Sequence, residues 1–135
     1  MIRYVREGGA IVMATSLPFP TYYAVDAGQP AGEPNQPLLR RLGIDIIAGF
    51  ERPPEGAKLA LLSVAGQTVL PSLLPGWSFP DRGDLRLRSF GPTGQGVRMT
   101  PLVEVRAADG RMIGPAAALF ELEGGGAILY VCRAL

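Results

Sequence analysis

Apolar and polar positions fall into short runs along this chain, and glycine or proline separates most runs from the next. Ala10-Ile11-Val12-Met13-Ala14 is continuously apolar, which predicts a strand buried on both faces. The preceding Met1-Ile2-Arg3-Tyr4-Val5-Arg6-Glu7 reads as the end of a helix, and Gly8 with Gly9 supplies the left-handed backbone that stops one. Helix, glycine pair and buried strand make the second half of a helix-to-strand unit in an α/β sheet. Such an opening predicts a domain that lacks what normally precedes it. The stretch from Thr15 to Tyr23 is rich in proline and aromatic residues and predicts a long loop, continued by polar residues 26–37. Pro37 suits a first helical turn, and Leu38-Leu39-Arg40-Arg41-Leu42 is a short amphipathic helix closed by Gly43. Ile44-Asp45-Ile46-Ile47-Ala48 and residues 58–63 are strand candidates, parted by the turn cluster Arg52-Pro53-Pro54-Glu55-Gly56.

The pattern changes further along. Leu85-Arg86-Leu87-Arg88-Ser89-Phe90 and Leu102-Val103-Glu104-Val105-Arg106 alternate, as strands with one dry and one wet face do. Ala108-Asp109-Gly110 is a turn signal. Residues 112–122 are apolar again; Ala116-Ala117-Ala118 would tolerate a helix, but pairing as a hairpin selects a strand. Glu123-Gly124-Gly125-Gly126 turns the chain into a last buried strand, Ala127-Ile128-Leu129-Tyr130-Val131-Cys132. The predicted class is α/β in a single domain or domain fragment over residues 1–135. Residues 1–63 form its α/β part, and residues 64–135 a β-rich hairpin part with the last buried strand. One fragmentary helix and one short one are too few to cover both faces of a parallel sheet. Apolar surface should therefore be left for something outside the chain. The expected partner is a second copy or the rest of a larger polypeptide, met through the face carrying Ile11, Met13, Ile128 and Tyr130.

Composition narrows the chemistry. The chain is 47% hydrophobic and 19% charged, too apolar for a disordered tail. Thirteen basic and 12 acidic residues leave a formal net charge of +1, so no field draws it to nucleic acid or to acidic membranes. No apolar run approaches the roughly 18 residues a spanning helix needs, and no signal peptide is visible; a complete chain would be cytoplasmic. Histidine is absent and Cys132 is the only cysteine. That excludes a Ser–His–acid triad, a Cys–His dyad, an internal disulfide and a His- or Cys-built metal site within these 135 residues. No cofactor, metal or catalytic residue is expected.

Five candidates remain. Ligands gather beyond the carboxyl ends of strands in open α/β sheets, so Thr15, Ser16, Phe19, Tyr22 and Tyr23 form a candidate ligand-binding set after the first strand. Hydroxyls beside aromatic faces suit a sugar ring; a loop packing its own proline and aromatic residues explains the same pattern. Glu121 and Glu123 lie two apart and would share a strand face, as a pair of glycosidase carboxylates could, though both flank a glycine turn where solvated charge is ordinary. Gly91-Pro92-Thr93-Gly94-Gln95-Gly96 follows a strand, but Val97-Arg98-Met99-Thr100-Pro101 leads into another strand rather than the helix a phosphate loop needs. Asp81-Arg82-Gly83-Asp84 with Arg86 and Arg88 reads as a solvated, salt-bridged strand edge. Cys132 lies in an apolar strand, where a thiol is inert.

A resemblance adds to this. Tyr4-Val5-Arg6-Glu7-Gly8-Gly9-Ala10-Ile11-Val12 resembles the "YVxxGGxLV" element of class I glutamine-amidotransferase-like domains, in the version found as an accessory domain of bacterial β-galactosidase-type glycoside hydrolases. Leu17-Pro18-Phe19 is similar to that family's "G-x-P-F" loop, and Leu38-Leu39-Arg40-Arg41-Leu42-Gly43-Ile44 to its short helix. Asp109-Gly110, Gly114-Pro115-Ala116-Ala117 and Gly126-Ala127-Ile128-Leu129-Tyr130-Val131 resemble its tail. The resemblance implies the C-terminal portion of a partial flavodoxin-like/amidotransferase-like sheet with an inserted antiparallel β region. The amidotransferase Cys and His have no counterpart here, and the sugar-cleaving carboxylates of such hydrolases belong to a separate domain. The implied role is a non-catalytic structural or interaction module of a carbohydrate-active enzyme. The alternatives are a glycan-binding domain using the loop after the first strand, and a His-free hydrolase acting through Ser16 or Glu121 and Glu123.

Overall fold

Helix α1 (Ile2–Arg6) is closed by two nested hydrogen bonds. The Gly8 N–H donates to the Val5 carbonyl at 3.1 Å and the Gly9 N–H to the Tyr4 carbonyl at 2.9 Å. Gly8 takes φ 95°, the left-handed position of this closure. Gly9 matters for close approach instead: a Cβ there would run into the Tyr4 ring, which would have to move aside. The two glycines of the pair therefore do different jobs.

The computed structural model describes residues 1–15, 22–23, 30–31, 36–47, 49–61, 68, 78–80 and 87–132. After α1 come β1 (Ala10–Ala14), β2 (Tyr22–Tyr23), β3 (Pro30–Ala31), α2 (Gln36–Arg40), β4 (Ile44–Ile46), β5 (Lys58–Leu61), β6 (Ser78–Pro80), β7 (Phe90–Pro92), β8 (Val97–Arg106), β9 (Met112–Leu122) and β10 (Ala127–Val131). Among the described residues six strands form one sheet in the order β1-β10-β9-β8-β5-β6, while β2 pairs with β3 and β4 with β7. Among the described residues only β1 and β10 run parallel; every other pairing is antiparallel. The molecule is thus mixed and sheet-dominated, with the α/β character confined to the corner where α1 delivers β1 to the sheet. Strands from either side of residue 63 share both the large sheet and the β4–β7 ladder. No helix among the described residues is long and apolar enough to cross a membrane.

The hairpin half follows its turn chemistry. Gly110 at φ 86° and Gly124 and Gly125 at φ 114° and 97° supply the left-handed residues that return β8 into β9 and β9 into β10. The β8–β9 ladder shifts register between Pro101 and Val103, Val103 and Glu104, and Val105 and Arg106. Such irregularities bend long strands, and these two strands reach two separate clusters. One end supplies Ala118 and Phe120 to the main core; the other packs Val105 and Ala116 with Ala57 and Leu59.

The main core lies on one face of the large sheet. Cross-strand rows Ile11–Ile128–Phe120–Met99 and Met13–Tyr130–Ala118 face Val5 of α1, Leu39 of α2, Leu42, Ile44 and Ile46 of β4 and Phe90 of β7. Phe90 meets Tyr130 and Phe120 edge to face, with ring centroids 4.8 and 6.1 Å away.

Two expectations are corrected here. β1 is not buried on both faces: Met13 is buried, yet Ala10, Val12 and Ala14 are exposed, Val12 by 67%. A sheet edge covered on one side buries only one parity of its residues. For the same reason the face carrying Ile11, Met13, Ile128 and Tyr130 is not left for a partner. The chain's own short helices and the β4–β7 ladder fill it, leaving Met13, Ile128 and Tyr130 at most 6% exposed.

Candidate functional site

The loop set begins at the carboxyl end of β1, where Thr15 is half-buried and its N–H extends the ladder by donating to the Val131 carbonyl at 3.1 Å. Ser16 and Phe19 lie outside the described residues. Tyr22 and Tyr23 form β2, paired with Ala31 and Pro30 of β3 in a ladder apart from the main sheet.

Glu121 is engaged structurally. Arg98, directly opposite on β8, donates to its Oε2 from Nη2 at 2.8 Å and from Nε at 3.1 Å. Glu123 stands in the following turn, where its N–H donates to the Gly96 carbonyl at 2.7 Å. Both carboxylates border a shallow open groove, where water surrounds charge and no wall isolates one carboxyl from the other. The Gly91–Gly96 stretch joins two strands, β7 and β8, and no helix N-terminus follows it. Asp81, Arg82, Gly83, Asp84 and Arg86 lie outside the described residues. No group of three His, Cys, Asp or Glu among the described residues could hold a metal ion.

Arg88 overturns the solvated-edge expectation, for it is only 9% exposed. Its parity explains why. Residues 88 and 90 point to the same side of an extended strand, and Phe90 packs into the core, so Arg88 goes inward with it. The Arg88 Nη1 donates to the Gly49 carbonyl at 3.3 Å, and its Cζ lies 5.5 Å from the centroid of the Phe50 ring, within cation–π range. Its charge is felt by two buried neighbours. Burial pushes the Cys132 thiol and the Tyr130 phenol above their ordinary values, and Arg88 pulls both the other way without prevailing. Cys132 is a buried thiol, at the end of the apolar strand where the sequence placed it.

Around Arg88 lies a cavity of about 440 Å³ between the β4–β7 ladder and the start of β9. Ile47, Phe50, Glu51, Leu87, Ile113 and Pro115 contribute to its wall, and Ile47 and Phe50 are about half exposed. Apolar walls with a few polar groups are the usual makeup of a small-molecule site. Buried guanidinium, aromatic face and carboxylate can bind and orient a small ligand. Sequence reading missed the cavity because its parts come from three separated stretches. The shared parity of Arg88 with Phe90 was the one signal that pointed to it.

No family model, curated protein or solved structure matches this chain.

Proposed function

We propose that this chain is a non-catalytic structural and interaction domain, of the kind that the amidotransferase-like accessory module of a carbohydrate-active enzyme represents. One observation carries the reading: β1 ends the sheet with an open, uncharged edge. The Ala127 N–H donates to the Gly9 carbonyl and the Thr15 N–H to the Val131 carbonyl, at 3.2 and 3.1 Å. Residues of a parallel strand bond to one neighbour at every second position. Residues 9, 11, 13 and 15 therefore face β10, and Ala10, Val12 and Ala14 turn their backbone groups outward. Among the described residues no strand lies beyond them. Lysine, proline and bulges normally guard an exposed edge, and this edge has none of them. The helix, closing Gly8-Gly9 and parallel edge strand support the amidotransferase-like reading of that corner.

The test is twofold. Panels of glycoside and amide substrates should show no turnover, and turnover that disappears with Ser16→Ala or Glu121→Gln would overturn the reading. Amide exchange should find Ala10, Val12 and Ala14 fast in dilute protein while Ile11 and Met13 are protected.

The cavity around Arg88 favours a second reading, a small-ligand domain. A glycan and metabolite screen tests it: a hit that Phe50→Ala removes, with the melting temperature unchanged, would support this reading over the first.

A further inference from the structure

We infer that the occupant of the β1 edge is a second copy of the same edge, added antiparallel about a two-fold axis through Val12. This rests on the interaction-domain reading and names its partner.

The outward hydrogen-bonding phase comes first. Ala10, Val12 and Ala14 all present their N–H and C=O groups to the open side, and identical edges share that phase. In an antiparallel ladder, residues that exchange both of their hydrogen bonds recur at every second position. Placing Val12 opposite Val12 of the partner subunit also places Ala10 opposite Ala14 of the partner subunit, and Ala14 opposite the partner's Ala10. Each of these pairs then satisfies both of its members. A parallel, in-register pairing of two copies would need opposite phases on the two edges, which one sequence cannot supply.

The side chains agree with this register. Read from either end, the outward positions are Ala, Val, Ala. A two-fold axis therefore sets each alanine against an alanine and valine against valine, with no charge to repel and no bulk to clash. Val12 stands in a row with Leu129 and Leu119 on the sheet face away from the main core. Pairing joins this row to its copy and turns two short apolar strips into one, across the seam where Val12 is now 67% exposed. A strand of another sequence would meet an edge without a charge or a large side chain to read.

A five-residue edge is small against the roughly 1,200 Å² of a stable complex, so the dimer should be weak and in fast exchange. Sedimentation of the full chain from about 1 to about 300 μM should show a monomer–dimer equilibrium in which the dimer fraction rises with concentration. Val12→Lys and Val12→Pro should each weaken it at least about tenfold, the lysine through charge repulsion and the proline through a lost donor. The register is read by cross-linking. Hydrogen-bonded partners lie about 5.5 Å apart at Cα, a span a disulfide closes. Val12→Cys should therefore form an oxidised dimer, Ala14→Cys alone should not, and Ala10→Cys with Ala14→Cys together should. Wild type is the control, because its Cys132 is 1% exposed.

A dimer that survives Val12→Lys, or that cross-links through Ala14→Cys alone, would overturn the proposed pairing. A monomer throughout, with fast exchange at Ala10, Val12 and Ala14, would overturn the second copy but leave the open edge. A monomer with slow exchange there would overturn both this proposal and the interaction-domain reading.

Discussion

The two faces of β1, β10 and β9 carry almost equally apolar residues and meet opposite fates. On one face Met13, Ile128, Tyr130, Ala118 and Phe120 are at most 6% exposed. On the other, Leu129 and Leu119 are half-buried and Val12 is 67% exposed. Adjacent residues of one strand, Val12 and Met13, mark the boundary. Hydrophobicity alone does not separate these faces; what is laid over them does. The main core is closed by small pieces, α1, α2, β4 and β7, whose apolar residues arrive from four points in the chain.

The largest effect should come from the closed face. Phe120→Ala removes a fully buried ring that meets Phe90 edge to face. It is expected to cost about 3–5 kcal/mol in urea unfolding, and a loss below about 1 kcal/mol would show that the closed face is not the main core. Next is the seam between α1 and β10. A Cβ at Gly126 would stand 1.8 Å from the Val5 carbonyl oxygen, and backbone cannot swing aside as a side chain can. Gly126→Ala should cost about 1–3 kcal/mol. Gly9→Val should cost less than Gly126→Ala, since the Tyr4 ring it meets is 56% exposed and can rotate away.

Alkaline pH sharpens the contrast further. Burial raises both Tyr130 and Cys132 above their ordinary values of 10.0 and 9.0. The unfolded chain therefore loses these protons first. Their contribution is complete below about pH 9 and is lost progressively as pH rises beyond it, with a slope of at most about 1.4 kcal/mol per pH unit for each group. The urea midpoint should fall above pH 9, and Tyr130→Phe should flatten the part of the fall above pH 10. Val12→Ser on the open face should shift monomer stability by under about 0.5 kcal/mol. A larger loss in dilute protein would mean that the two faces are not different in kind.

Much of this architecture was legible where local chemistry dictates it. Residues 112–122 and the turns around them are strand and hairpin because Gly110, Gly124 and Gly125 must take positive φ there. The stop after α1 was legible for the same reason, although the left-handed residue is Gly8 alone. The faces of β1 were not legible, because a continuous apolar run carries no phase. Neither was the pairing of β4 with β7, since nothing in Ile44-Asp45-Ile46 specifies a partner at Phe90-Gly91-Pro92. Arg88 was misplaced because Leu85 and Leu87 suggested the dry parity, whereas Phe90 set it. The candidate loop was legible at Thr15 only as the continuation of a strand; Ser16 and Phe19 lie outside the described residues.

The parallel pairing of Ala10 with Ala127 has a consequence for synthesis. β8, β9 and β10 are joined by tight turns and can zip together as soon as they emerge, whereas β1 is made before them and must wait for β10. Throughout that interval Ala10–Ala14 has two open edges instead of one, in a segment that contains no charge of its own. The charged residues nearest in sequence are Arg3, Arg6 and Glu7, with Arg3 and Glu7 joined by an exposed ion pair at 2.8 Å. They sit where gatekeeper residues sit beside unavoidable apolar strands. Replacing Arg3, Arg6 and Glu7 together by alanine is expected to lower the yield of soluble protein from a nascent chain far more than it lowers the stability of the finished one.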